Sequence, residues 1–204
     1  MVKINKTLRR RANLRDALIE AAEKTIAVHG LKGLRARSLA FDVGCAVGAI
    51  YNVVNDIDDL ILAANERTLK LLDDELSKPP AGEGSEPPID KLVRLAIAYL
   101  NFAADHGLRW RAVFEHIMTE GSEVPDWYRA RQKRLFGYLD APLRELQPDM
   151  PERQRAVVAR SLFSAVHGMV ALGLDEKVQA IALPDLREQV AFIVTTIGRG
   201  LTRK

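Results

Sequence analysis

The chain has 204 residues, 48% of them hydrophobic and 28% charged, a balance that excludes a disordered or fibrous protein and leaves room for one or two globular domains. No uncharged apolar run approaches the roughly 20 residues that a membrane span needs, and no apolar stretch follows the basic first residues, so the expectation is a cytoplasmic chain with no signal peptide and no membrane partner. A single cysteine, Cys45, and four scattered histidines make neither a disulfide nor a zinc pattern; no metal and no cofactor are expected.

The net charge of +3 hides an uneven distribution. Residues 1–37 carry ten basic side chains against three acidic ones, so the remainder is net −4. A positive end on a near-neutral body is read either as a surface that docks on a polyanion or as a solvated basic tail.

In chain order, almost every segment repeats its apolar residues at helical period and none alternates like a strand. A first helix is predicted from about Asn13 to His29, with Leu14, Leu18, Ala21, Ala22 and Ile26 on one face and Lys3 to Arg11 as a basic arm ahead of it. Two short helices follow, from about Arg37 to Val43 and from about Val47 to Val53, separated only by Gly44-Cys45-Ala46. That is the helix-turn-helix pattern. The second helix opens on Ala46-Val47-Gly48-Ala49, slim enough to enter a major groove. Tyr51 then offers a phenol to a phosphate and Asn52 an amide to adenine, while Ile50 and Val54 face back into the domain. Such a pair is also found as plain packing; the basic run before it favours DNA. Cys45 is read as a buried small hydrophobe in preference to a redox thiol.

A longer helix from about Ile57 to Ser77 is expected to be capped by Asp56, with Asp58 and Asp59 suiting its dipole. The proline- and glycine-rich stretch from Pro79 to Pro88 then breaks all periodicity. Beyond it, helices are predicted at about Ile89 to His106, Leu108 to Met118, Asp126 to Gln147 with Pro142 kinking or splitting it, Glu152 to Leu174, and Leu186 to Leu201. The divisions are 1–56 for a head domain with its basic arm, 57–78 for a connecting helix, 79–88 for a linker and 89–204 for a helical second domain.

The last two helices carry Leu162, Val166, Met169, Val190, Ile193 and Ile197 on stripes wide enough for both a core and a partner subunit, and these residues are the expected homodimer interface. Among the aromatic and histidine residues of the second domain, Phe102, Trp110, Phe114, Met118, Trp127 and His167 are the expected lining of a ligand cavity. His167 is read either as a ligand contact or as a histidine bonded to a backbone carbonyl across the bundle. No GxSxG, HExxH, GxGxxG or phosphate loop occurs, and Gly82-Glu83-Gly84-Ser85 lies within the linker, so no enzymatic activity is expected.

Ala21-Ala22, His29-Gly30, Leu39-Ala40, Val43-Gly44, Gly48-Ala49-Ile50-Tyr51 and Asp58-Asp59-Leu60, in this order and spacing, resemble the tetracycline-repressor (TetR) family over about residues 14–72. The runs Leu108 to Phe114, Trp127-Tyr128-Arg129 and Ala165 to Gly168 look similar to the subgroup named for a Trp-His-Gly signature. The resemblance implies an all-α protein, with a three-helix DNA-binding domain joined by a long helix to a helical ligand-binding and dimerisation domain. It further implies that Arg37, Gly48 through its backbone, Tyr51 and Asn52 touch double-stranded DNA, with Ala46 and Ala49 against base edges and Val47 beside them. Relatives commonly have Ser or Thr where this chain has Arg35 and Ala46, His-Phe where it has Val53-Val54, and Lys where it has Ile57. Each change removes a cap or a phosphate donor, so the basic arm ending at Arg11 is expected to supply contacts the domain lacks. The expectation is a ligand-responsive DNA-binding transcriptional repressor that binds a palindromic operator as a homodimer and is released by a small-molecule effector. The alternative is a helical small-molecule-binding or interaction protein with a weakened DNA-binding head.

Overall fold

The structure, a computed structural model, describes residues 2–80, 86–178 and 180–202, with side chains from residue 6 onward. The centre of the expected linker, 81–85, therefore lies outside the described residues, as does the side chain of Lys3 in the expected arm. Among the described residues there are helices and no strands: α1 Val2–His29, α2 Ala36–Val43, α3 Val47–Ile50, α4 Ile57–Leu76, α5 Pro88–Asp105, α6 Gly107–Glu115, α7 Asp126–Leu146, α8 Glu152–Gly173 and α9 Leu183–Thr202. Short 3-10 turns at Leu31–Gly33 and Glu176–Val178 complete them.

Four boundaries differ from the sequence reading, among them the start of α9, at Leu183 in place of Leu186. α1 begins at Val2, so the basic run is the first part of a helix and not an arm. Residues 2–12 contain no glycine or proline, and Lys, Arg, Leu and Ala are good helix formers. α3 keeps only four residues as α-helix, and the chain beyond it closes in turns, Val53 N–H to Ile50 O at 3.0 Å and Val54 N–H to Ile50 O at 3.1 Å. The β-branched pair Val53-Val54 and the Asn55-Asp56 that follows are poor helix formers. α6 stops at Glu115, because the Asp58 carboxylate captures the backbone N–H of Thr119 at 2.8 Å and draws the chain off the helix path. α7 runs as one unsplit helix through Pro142.

The chain forms two compact units that are not consecutive in sequence. The first comprises residues 1–71 and 106–129, the second 72–105 and 130–204. In the first unit, α1 packs on α2 and α6, and α2 on α3. Its core is aliphatic: Leu18, Ala22, Ile26, Leu39, Ile50, Val54, Leu60 and Ala64, with Ala112 of α6 joining it. In the second unit, α9 packs chiefly on α5 and also on α8. Leu92, Leu100, Leu143, Val170, Leu186, Val190 and Val194 are almost fully buried. Gly173 makes the α8–α9 approach possible, since a Cβ there would stand 2.7 Å from Leu186. Burial of this size, about 25 cal/mol per Å² of apolar surface, outweighs the weak intrinsic preferences of the segments.

Candidate nucleic-acid interface

The helix-turn-helix is built by one backbone device and one buried face. Gly44 sits in the left-handed region, φ 73° and ψ 39°, and its N–H closes α2 onto the Ala40 and Phe41 carbonyls. A side chain with a Cβ is strained there, which is why the turn needs glycine. Leu39 and Ile50, both fully buried, then clamp α2 and α3 onto α1. Neither helix has a side-chain cap: Arg35 and Ala46 occupy the N-cap positions without a hydrogen bond to the helix. The Arg35 guanidinium turns instead to the Leu34 carbonyl, 2.9 Å away.

The expected DNA contacts lie together at this end of the first unit. Arg37, Ala46, Val47, Gly48, Tyr51 and Asn52 are exposed and Ala49 is half-buried. Space around Gly48 is open, with nothing within 4 Å of where a Cβ would be. Arg11 is exposed too, but its guanidinium donates to the Asn52 carbonyl, a role the sequence reading missed. One turn along α1, Arg15 reaches Asp59 at 3.5 Å. Asp59 in turn accepts the Asn55 N–H at 3.3 Å, and its own N–H is capped by Asp56 Oδ1 at 2.7 Å, the cap expected at the start of α4.

Further polar ties hold α6 and the segment after it inside the same unit. Glu23 of α1 accepts from Arg67 of α4 at 3.0 Å and from Arg109 of α6. Burial disfavours the Glu23 charge, but the two guanidinium groups outweigh it and hold its carboxyl below the usual glutamate value. Asn65 Nδ2, almost fully buried, donates to the Ala112 carbonyl at 3.0 Å. Asp58 is likewise disfavoured by burial, yet the Thr119 donors and the nearby His116 lower its pKa. His116 Nε2 stands 3.3 Å from Asp58 Oδ1, outside hydrogen-bond geometry. Tyr128 is buried, and burial pushes its phenol up to about 12.

The residues expected to line a ligand cavity fall in two groups. Trp110, Phe114, Met118 and Trp127 belong to the first unit, Phe102 and His167 to the second. Trp110 is buried with its ring 5.6 Å from that of Phe114, whereas Phe114 and Trp127 are 45% and 43% exposed and Met118 lies beyond the end of α6. In the second unit Phe102 is buried, and His167 Nδ1 shares a 2.7 Å hydrogen bond with Tyr99 OH, a partner the sequence did not single out. Phe163 sits edge-on to both Tyr99 and Phe136 and tilted against His167, and burial pushes the His167 pKa down. Also in this unit, Asp73 receives Tyr138 OH at 2.7 Å, Arg134 Nε at 2.8 Å and Arg131 Nη1 at 3.2 Å. Burial opposes its ionisation, but these donors hold its carboxyl below the ordinary aspartate range. The 131, 134, 138 spacing on one face of α7 was the available signal for that cluster. A groove of about 380 Å³, lined by Leu76, Lys78, Lys91, Arg94, Tyr138 and neighbours, contains none of the expected ligand residues.

Of the expected dimer residues, Leu162, Val166 and Val190 are 5% exposed or less and are spent on the core of a single chain. Met169, Ile193 and Ile197 are half-buried. Helical phase explains the difference: the most regular apolar stripe on each helix faces its own bundle. The large exposed apolar side chains of α8 and α9 are Val157, Leu172 and Phe192, at 58%, 61% and 62%.

Comparisons with known proteins agree with this architecture. Residues 92–197 match the family described as "Tetracyclin repressor-like, C-terminal domain". No curated protein matches the chain. A Rhodococcus sp. RHA1 protein of unknown function is similar in structure, with TM-score 0.71 and 21% identity over 93% of this chain and 96% of its own. A TetR-family transcriptional regulator from Streptomyces coelicolor has TM-score 0.65 and 19% identity over 93% of this chain and 83% of its own. A second TetR regulator from that organism has TM-score 0.64 and 18% identity, covering 92% and 97%. With more than half of its length matched by the C-terminal domain and a helix-turn-helix at its other end, the chain belongs to the TetR family of DNA-binding transcriptional regulators.

Proposed function

We propose that this protein is a transcriptional repressor that binds a palindromic operator as a homodimer and leaves it when a small molecule binds. The observation that carries the DNA reading is the exposed face of Arg37, Ala46 to Ala49, Tyr51 and Asn52 on a helix pair held by buried Leu39 and Ile50. Arg37 supplies charge to a phosphate, Tyr51 a hydroxyl, and Asn52 the one amide able to read a base edge; Ala46, Val47 and Gly48 let the backbone approach.

The dimer reading rests on α8, whose most apolar stretch is only 28% buried within the chain. Val157 and Leu172 of α8 and Phe192 of α9 are the proposed interface, with Met169, Ile193 and Ile197 at its edge. For the effector, the proposed contacts are the buried Phe102 and the half-buried His167 of the second unit. These are aromatic faces with few charges, suited to a largely apolar molecule.

Selection from random duplex DNA at moderate salt tests the reading. The expected result is an enriched palindrome whose binding constant falls with salt at about −0.9 per phosphate contacted. Arg37→Ala should flatten that slope by about one unit per half-site. Failure to enrich any sequence, at low salt as well, overturns the regulator reading.

A further inference from the structure

α3 is a helix of four residues without a side-chain cap, and its neighbour α2 lacks one as well. A helix that short does not hold its own geometry. Buried Ile50 and Val54 fix one side, and the exposed residues of the chain that leaves α3, Tyr51, Asn52, Asn55 and Asp56, have to be held from elsewhere. Two arginines one turn apart on α1 meet that stretch at its ends. Arg11 donates to the Asn52 carbonyl, and Arg15 binds Asp59, whose carboxylate also receives the Asn55 N–H. The Asn52 side chain stays exposed on the reading face while its backbone is tied to α1.

We infer that Arg11 is a positioning residue for sequence reading: it holds the end of the recognition helix through Asn52, and its charge is not a phosphate contact. The inference rests on the DNA-binding reading above and changes the role that the basic run suggested for this residue. Phosphate contacts strengthen binding to every sequence and add to the salt slope; a group that sets the angle of the reading helix strengthens binding only where bases are read.

The two roles separate in one experiment. Anisotropy is measured for the wild type, Arg11→Gln, Arg11→Lys and Arg37→Ala on the selected operator and on a scrambled duplex, across a salt series. Loss of a charge-assisted hydrogen bond at an exposed site corresponds to about tenfold. Arg11→Gln is expected to lose about that factor on the operator, with scrambled-duplex affinity and salt slope unchanged. Arg11→Lys, which keeps a donor, should recover most of the loss, and Arg37→Ala should weaken both duplexes and flatten the slope. If Arg11→Gln instead weakens both duplexes equally and reduces the slope, Arg11 is a phosphate contact. If it changes neither, the tie to Asn52 has no bearing on reading. Either result overturns the inference while the regulator reading stands. A wild type that prefers no sequence overturns the regulator reading and this inference with it. Circular dichroism of each variant confirms that the loss is not one of folding.

Discussion

The two units solve the problem of holding helices in different ways. In the first, α2 and α3 are eight and four residues long, and polar ties cross from element to element: Arg11 to Asn52, Arg15 to Asp59, Arg67 and Arg109 to Glu23, Asn65 to Ala112. In the second, α5, α8 and α9 have 18 to 22 residues and meet through Leu92, Val170, Leu186, Val190 and Val194. Short elements bury too little apolar surface to fix their own orientation, so the unit that must present a helix at a defined angle uses directional bonds. Long elements rest chiefly on a matched stripe, with local polar ties such as those at Asp73 beside it, and they have enough apolar surface left over to leave Leu172 and Phe192 in the open.

That contrast predicts where each unit is vulnerable. The largest effect should come from Ile50→Ala, which empties the fully buried anchor of α3; denaturant unfolding should show a loss of about 2–5 kcal/mol together with loss of DNA binding. If the head tolerates it and still binds, the polar ties alone hold α3. Next is Gly173→Ala, which drives a methyl against buried Leu186 and should cost about 1–3 kcal/mol in thermal or chemical unfolding, without altering operator preference.

Acid should act on both units through Asp58 and Asp73. Both titrate lower in the fold than the ordinary 3.8. Their contribution is complete above that value and is lost as pH falls through the lower folded values, because the unfolded chain takes up protons first. Asp73→Asn should make the acid limb of a stability-versus-pH curve shallower, and an unchanged limb would mean that the Arg131, Arg134 and Tyr138 contacts do not persist in solution. The smallest effect on the fold is expected from Leu172→Glu combined with Phe192→Glu. Folding stability extrapolated to the single chain should move by about 0.5 kcal/mol or less per site, while sedimentation shifts from dimer to monomer. A dimer that survives this pair lies on another surface.

Much of the fold was legible from spacing. The apolar period placed α4, α5, α8 and α9 to within a few residues, and Gly44 between two short helices marked the turn. What periodicity cannot carry is any bond between distant positions. Thr119 leaves the helix for a carboxylate 61 residues earlier, and Arg11 serves a carbonyl 41 residues later. The helix pair was legible because Gly44 separates two short apolar-faced segments. Which side of α8 and α9 faces the chain's own core was not: the most regular stripe, through Leu162, Val166 and Val190, is buried within the single chain. His167 was recognised as needing a partner, but Tyr99 lies 68 residues away and only folding names it.

The discontinuous first unit bears on how such proteins can be recombined. Ala112 is 1% exposed within a core otherwise drawn from residues 14–64, and Arg109 and Thr119 are bonded to α1 and α4. A chimera cut between α4 and α5 would transplant the reading residues without α6, removing the packing of α6 on α1 and leaving Glu23 and Asp58 short of donors and Asn65 without its acceptor. Exchange of operator specificity between relatives therefore has two routes. One swaps only the surface of α2 and α3; the other carries residues 106–129 along as a second insert.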